Sequence, residues 1–331
     1  MDKLREKYAF FRLPILPQAF FAAFLVMGFS VCRILAYSWD TRADYSFGYI
    51  APLFILFVLY DRKDAILGYY NSPAKAENSP KIKRFFAGGF FGAMFACSFV
   101  MYLLFMLLFS ITQNWGICGT AATFCFCFLS FSFAYFASAQ NSAGQRKALG
   151  ERLAFLSLFV FPCFSLLVAA PMFSVIETKI SLFLLSKVAV ITTTIMDTLG
   201  YIVRLNGNVL SFPNGQVGVA DACSGIRSLT ACLFAGTFLA AVFLKKTWKK
   251  VFLVLSSMML AFFNNILRAL FLSVYAYENG PDSIAGFVHD AAGYFVLGMT
   301  VLGLWIIVKI LEINPVPKEF REQAAPKGGA K

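Results

Sequence analysis

Long apolar runs broken by short polar stretches set the pattern of this chain. A helix crossing about 30 Å of hydrocarbon needs roughly 20 apolar residues. Runs of that kind fall at 14–38, 85–110, 115–137, 153–175, 224–244, 251–275 and 286–311, with a shorter one at 45–60. They predict about eight transmembrane helices. The run 177–203 is also apolar but carries Glu177, Lys179, Lys187 and Asp197. In 204–221, short Val/Leu/Phe runs alternate with Asn-Gly and Pro-Asn-Gly signals, which predicts a small β-hairpin. The polar segment 71–83 reads as a loop and 315–331 as a polar tail, leaving 1–314 as a single membrane domain.

Composition supports this reading. Of 331 residues 59% are hydrophobic and 14% charged, and forty are phenylalanine. Soluble domains carry roughly 25% charged residues. An ordinary cytosolic enzyme, a nucleic-acid-binding domain and a disordered chain are therefore excluded. The net charge of +12 suits an anionic partner in principle, but its distribution gives a simpler account. Segments 1–12, 61–84, 138–152, 245–250 and the tail from Lys309 hold 22 of the 29 basic residues. With eight spans all 22 fall on one side, provided that 177–203 does not cross. That side carries +13 net and the other −1, as the positive-inside bias requires. If 177–203 did cross, the KKTWKK segment and the basic tail would face outward. The segment is accordingly expected to be an interfacial or re-entrant helix on the outer face. Both termini are expected inside, and the first apolar run is expected to be an uncleaved span. No transporter-like repeat is evident.

The remaining polar residues need a reason to be where they are. Three strings stand out beside spans: Asp221-Ala222-Cys223-Ser224-Gly225-Ile226-Arg227, Asn264-Asn265-Ile266-Leu267-Arg268 and His289-Asp290-Ala291-Ala292-Gly293. Charged groups at membrane depth are costly and mark candidate sites. Cys223 lies at the outer mouth of one span, and His289, the only histidine, begins the last. Arg268 is 17 residues beyond Val251, roughly 26 Å up a helix from the inner edge. The three share one level near the outer face; their lateral distance is not set by sequence.

Such a trio suits acyl transfer. A thiolate at a helix N-terminus is an activated nucleophile, a histidine can protonate a leaving amine, and an arginine can hold an oxyanion. Plainer roles stand beside these. A cysteine of eight near a helix start is most often inert. Arg268 could pair with Asp221 or Asp290, and Arg227 could snorkel outward. The eight cysteines have no zinc-like spacing and suggest neither a disulfide framework nor a metal site. A transporter or flippase for a polysaccharide or lipid intermediate, and a scaffold subunit of an export complex, are the competing classes.

The strings ADACSGIRSL, NILR and HDAAG together resemble the exosortase/archaeosortase family of membrane-embedded cysteine transpeptidases. Upstream, Asp44–Pro52 resembles the family's early "SHG…P" segment. Pro171, Met172, Glu177 and Leu199-Gly200, followed by Leu205–Asn208, resemble the stretch leading to the cysteine, so the likeness covers most of 40–305. The resemblance implies Cys223 as a nucleophile forming a thioacyl intermediate, Arg268 as the stabiliser of the acyl oxygen and His289 as general acid/base. Ser224, Gly225 and Asn265 would support them, and Gly293 would allow close helix packing. No cofactor is implied. The implied partners are the bilayer and exported proteins bearing a C-terminal tripartite (PEP-CTERM-like) sorting signal; many members are encoded near polysaccharide synthesis functions. The implied location is the inner (plasma) membrane, with the site at its outer face. Phe47 stands where the family usually has histidine, which puts a role for that position in doubt.

Overall fold

The computed structural model describes residues 13–219 and 226–312. The basic N-terminal segment, Asp221–Gly225 and the expected polar tail lie outside the described residues. The chain is an all-α polytopic membrane protein with one small antiparallel sheet. Its helices are α1 (Ile15–Thr41), α2 (Ile50–Asp61), α3 (Lys63–Asn71), α4 (Lys81–Thr112) and α5 (Trp115–Ala137). They continue as α6 (Leu149–Ala169), α7 (Ser174–Thr198), α8 (Ile226–Phe243), α9 (Thr247–Asn279) and α10 (Phe287–Glu312). Among the described residues, seven helices are long and apolar enough to cross a membrane: α1, α4, α5, α6, α7, α9 and α10.

Helices packing in lipid gain little from hydrophobicity, so close contact and shape decide which ones sit inside. In α5, 72% of the apolar window is buried, against 11% in α4. Small residues explain the difference. α5 carries Gly119, Ala121 and Ala122, and a Cβ on Gly119 would stand 3.3 Å from Ile34 and Leu35 of α1. α4 presents Phe85, Phe86 and Phe90 outward. Between α1, α5 and α6 the core is aromatic: Phe20 meets Phe159 edge-on at 5.2 Å and Phe133 at 5.5 Å.

The short run 45–60 forms a 3₁₀ segment, Ala43–Tyr49, and the 12-residue α2. Gly48 lies against the face of Trp39, whose indole N–H donates to the Ala169 carbonyl at 2.8 Å. Tyr45 is buried, and its hydroxyl accepts from the Met172 amide at 3.0 Å. Burial pushes this hydroxyl's pKa up, so it stays neutral.

Glu177, in the first turn of α7, pairs with Arg42 at the end of α1. Just past the other end of α7, Tyr201 packs against Tyr277 near the end of α9, with ring centroids 5.0 Å apart. Thr230 in α8 donates to the Asp44 carbonyl at 3.2 Å, so α8 starts beside the end of α1 as well. The segment from α7 to the sheet therefore leaves and rejoins the bundle at one end, called here the site end. α7 has the length and hydropathy of a span, while residues at or just past both of its ends tie to that end of the bundle.

The expected hairpin is a three-stranded sheet. β1 (Arg204–Asn206), β2 (Val209–Phe212) and β3 (Gly215–Gly218) pair antiparallel in the order β1-β2-β3. Gly207 turns β1 into β2 with φ of 63°, a conformation that favours glycine. The third strand, GQVG, lacks the β-branched alternation that announces a strand. A Cβ on Gly215 would meet Pro281 at 2.5 Å, so the sheet seats directly on the loop after α9.

At the opposite, basic end lie the α3–α4 and α5–α6 connections, the α8–α9 turn and the end of α10. The segment 71–83, expected as a plain loop, is strapped down. The Ala74 amide donates to Gln145 at 3.2 Å, the Lys75 amide to Glu151 at 3.2 Å and Asn141 to the Ser72 carbonyl at 3.1 Å. Lys249 donates to the Leu311 carbonyl and ties α9 to the end of α10.

Candidate active site

α8, α9 and α10 carry the polar residues of interest, and small residues bring them together. A Cβ on Gly303 of α10 would meet Leu260 of α9 at 2.7 Å, and Gly236 of α8 lies against Ser257 of α9. Asn264, which is buried, donates its amide to Thr300 Oγ1 across α9 and α10 at 2.7 Å. That bond fixes the register of the two helices. Arg268 lies one helical turn beyond Asn264; Gly293 and His289 lie two and three turns beyond Thr300.

In this register Arg268 Nη2 reaches His289 Nε2 at 2.9 Å. It also approaches the His289 carbonyl at 3.5 Å. A guanidinium only donates, so Nε2 must be the accepting nitrogen. The imidazole is then neutral, with its proton on Nδ1, facing Asp290 Oδ1 at 3.4 Å. Arg268 Nε is buried without a hydrogen-bond partner among the described residues. The His289 side chain is 39% exposed, so solvent and a substrate can reach it.

A cavity of about 470 Å³ opens onto this pair. Its lining includes Ser46 and Phe47 from the 3₁₀ segment, Ser228 and Cys232 from α8, and Asp290, Tyr294 and Thr300 from α10. Arg268 also lines a second, apolar groove of about 740 Å³ between α9 and α10, walled by Leu267, Phe271, Phe287, Phe295 and Met299. Arg268 thus lines both cavities, the first of which carries more polar side chains than the second.

Arg268 and His289, at one level by sequence, also meet laterally. Asn265 is buried three residues before Arg268 on α9. Gly293 differs from expectation: it faces the Arg268 guanidinium, where an added Cβ would stand at 3.6 Å, an ordinary contact. The close helix approaches are made at Gly236 and Gly303 instead. Asp290 faces His289 rather than ion-pairing with Arg268. Cys223, Ser224 and Gly225 lie outside the described residues, as does Asp221; Ser228, five residues after Cys223, lines the cavity. Cys232 and Thr300 carry no signal in the sequence, because cysteine and threonine are common within membrane helices. Phe47, the departure from the family pattern, is part of the cavity wall and packs on Phe234 at 5.1 Å. Among the described residues no group of His, Cys, Asp and Glu is arranged to hold a metal.

A family model described as transmembrane exosortase (Exosortase_EpsH) matches residues 39–306. The chain belongs to the transmembrane exosortase family. The match spans α2–α9 entirely and most of α10, and so includes the Arg268–His289 pair. Exosortases are membrane transpeptidases of the cysteine type that act on sorting signals of exported proteins. No curated protein sequence and no solved structure matches the chain.

Proposed function

We propose that this exosortase cleaves the C-terminal, PEP-CTERM-like sorting signal of exported proteins through a thioacyl intermediate on Cys223. The observation that carries the reading is the Arg268–His289 contact at 2.9 Å inside an open cavity, within the family-matched region. In the proposed step His289 Nε2 takes the Cys223 thiol proton, and the thiolate sulfur attacks the scissile carbonyl carbon. Arg268 then turns its guanidinium from His289 to the oxyanion. Collapse breaks the C–N bond, His289 returns the proton to the leaving amine, and the acyl group stays on sulfur. Water or an amine next attacks the thioester and releases the Cys223 thiol.

Several features support this role. Arg268 has donors to spare, since its Nε is unused among the described residues. Asp290 faces Nδ1 and would favour the tautomer that the step needs. The apolar groove on the far side of Arg268 offers the signal's hydrophobic helix a path to the cavity. Ser224, Gly225 and Asn265 are proposed to support Cys223 and the acyl oxygen, and the sheet to cover the bound signal. In the membrane the basic end would face the cytoplasm with both termini, and the site would face outward, as the positive-inside bias favours.

The test is co-expression with a protein bearing a sorting signal, followed by the mass of its new C-terminus. Cys223→Ala should abolish processing while membrane insertion persists. Normal processing by this variant would overturn the mechanism. External labelling of Cys223 by an impermeant thiol reagent should stop processing; transport activity that survives labelling would favour a carrier.

A further inference from the structure

The basic end holds a second cavity, far from the Arg268–His289 pair. It measures about 490 Å³ and is lined by Lys81, Arg84, Arg146, Lys147 and Arg152 against one carboxylate, Glu77. A positive-inside bias alone would scatter such charges over a solvated surface. Here they converge on a concave site whose walls are fixed. The Lys147 side chain is fully buried, and its ammonium is spent on the Ser72 carbonyl at 3.1 Å, Ser72 Oγ at 2.8 Å, the Pro73 carbonyl at 3.2 Å and the Glu151 carboxylate at 3.4 Å. It therefore builds the wall. Glu77 is likewise occupied, accepting from the Ser79 amide at 2.9 Å and the Leu149 amide at 3.1 Å.

The open donors are the other cations. Lys81, Arg84 and Arg146 are exposed, and no carboxylate lies within salt-bridge distance of them among the described residues. Arg152 is held flat over the Tyr135 ring at 3.6 Å, with Nη2 on the Tyr135 carbonyl at 2.7 Å. Four cations with free N–H groups around one cavity make a site for a multiply charged oxyanion.

The depth of the cavity says where that anion comes from. Lys81 and Arg84 lie in the first turn of α4, and Ile82, Phe85 and Phe86 beside them are 65%, 77% and 67% exposed. The cavity thus opens where the lipid-facing surface begins. We propose that it binds the phosphate headgroup of an anionic membrane lipid, whose acyl chains run along the phenylalanine face of α4. The basic end is then anchored to one leaflet through a specific site rather than a diffuse potential.

The test is lipid binding by the purified, delipidated full chain in detergent, read by native mass spectrometry. The probes are dioleoylphosphatidylglycerol, dioleoylphosphatidylcholine and inorganic phosphate. Phosphatidylglycerol should bind at least about tenfold tighter than phosphatidylcholine. Arg84→Gln with Arg146→Gln should erase that preference. Lys245→Gln with Lys246→Gln, which removes two charges from the same end outside the cavity, should leave it within about twofold. Arg146→Gln alone, on an exposed loop, should weaken phosphatidylglycerol by about threefold or more if the double variant does not fold. Equal losses in both double variants would reduce the site to surface attraction and overturn the proposal. So would equal affinity for the two lipids, or binding of inorganic phosphate without binding of phosphatidylglycerol.

Discussion

At the site end of the bundle, three polar contacts tie charged side chains to particular partners: Arg268 meets His289, His289 meets Asp290, and Arg42 meets Glu177. At the basic end charges are many, and most of those around the cavity, such as Lys81, Arg84 and Arg146, have no carboxylate within salt-bridge distance among the described residues. Position, more than number, separates the two groups of cations. Arg268 sits in the register set by the Asn264–Thr300 bond, with Nη2 in contact with His289 Nε2. Arg84 and Arg146 are exposed and line the basic-end cavity, away from the Arg268–His289 pair.

The comparison breaks first at substitutions that keep charge. Arg268→Lys retains the positive charge but loses the planar fork, and processing should fall by roughly 10²–10³-fold, as for loss of one oxyanion donor. Arg84→Lys should leave processing unchanged within about twofold, since exposed charges act mainly through their sign. Both are read from the rate at which a co-expressed signal-bearing protein is processed. Equal sensitivity at the two ends would mean that Arg268 acts only as a charge.

A smaller effect tests the register itself. Thr300→Val leaves the Asn264 amide without its acceptor in a buried interface. The stability cost should be about 1 kcal/mol, the scale of such bonds in membranes, seen as a drop of a few degrees in Tm. Because Arg268 and His289 inherit their spacing from this bond, processing should fall by more, on the order of tenfold. A stability loss with unchanged processing would show that the pair is positioned by something else.

Sequence made most of the long apolar helices and the common level of Arg268 and His289 legible, because run length acts on whole segments. It could not show that Arg268 and His289 touch. That depends on the Asn264–Thr300 bond and on the Gly303–Leu260 approach, both matters of which helix faces meet. The 71–83 segment read as a loop because strapping bonds run from backbone amides to Gln145 and Glu151, which lie some 70 residues away. α7 was the hardest element. Its hydropathy suits a span, yet its ties to Arg42 and Tyr277 lie at the site end. Phe47, read as a missing histidine, turns out to wall the cavity.

Glu177→Gln is a gentler break at the site end. The Arg42–Glu177 pair is partly exposed, with side-chain exposures of 34% and 13%, so its loss should cost no more than about 1 kcal/mol. The effect should shrink at high salt. Processing should persist, since the pair anchors α7 and does not line the cavity. Strong loss of processing with an unchanged Tm would instead make α7 part of the catalytic apparatus.

The smallest predicted effect is at the basic end. Amide donors from Ser79 and Leu149, with Arg84 nearby, hold the Glu77 carboxyl below its ordinary range. A group whose folded pKa is depressed adds stability above its unfolded pKa and loses it as pH falls through the folded value. The strap of 71–83 should therefore loosen on acidification below the usual carboxylate range. Hydrogen exchange of the 71–83 amides against pH would separate the two ends. Glu77→Gln should remove the acid-dependent part of that exchange and leave the α9–α10 amides as they were. If the strap loosens identically in the variant, the pH response belongs to another carboxylate, with Glu151 on the Lys75 amide the next to change.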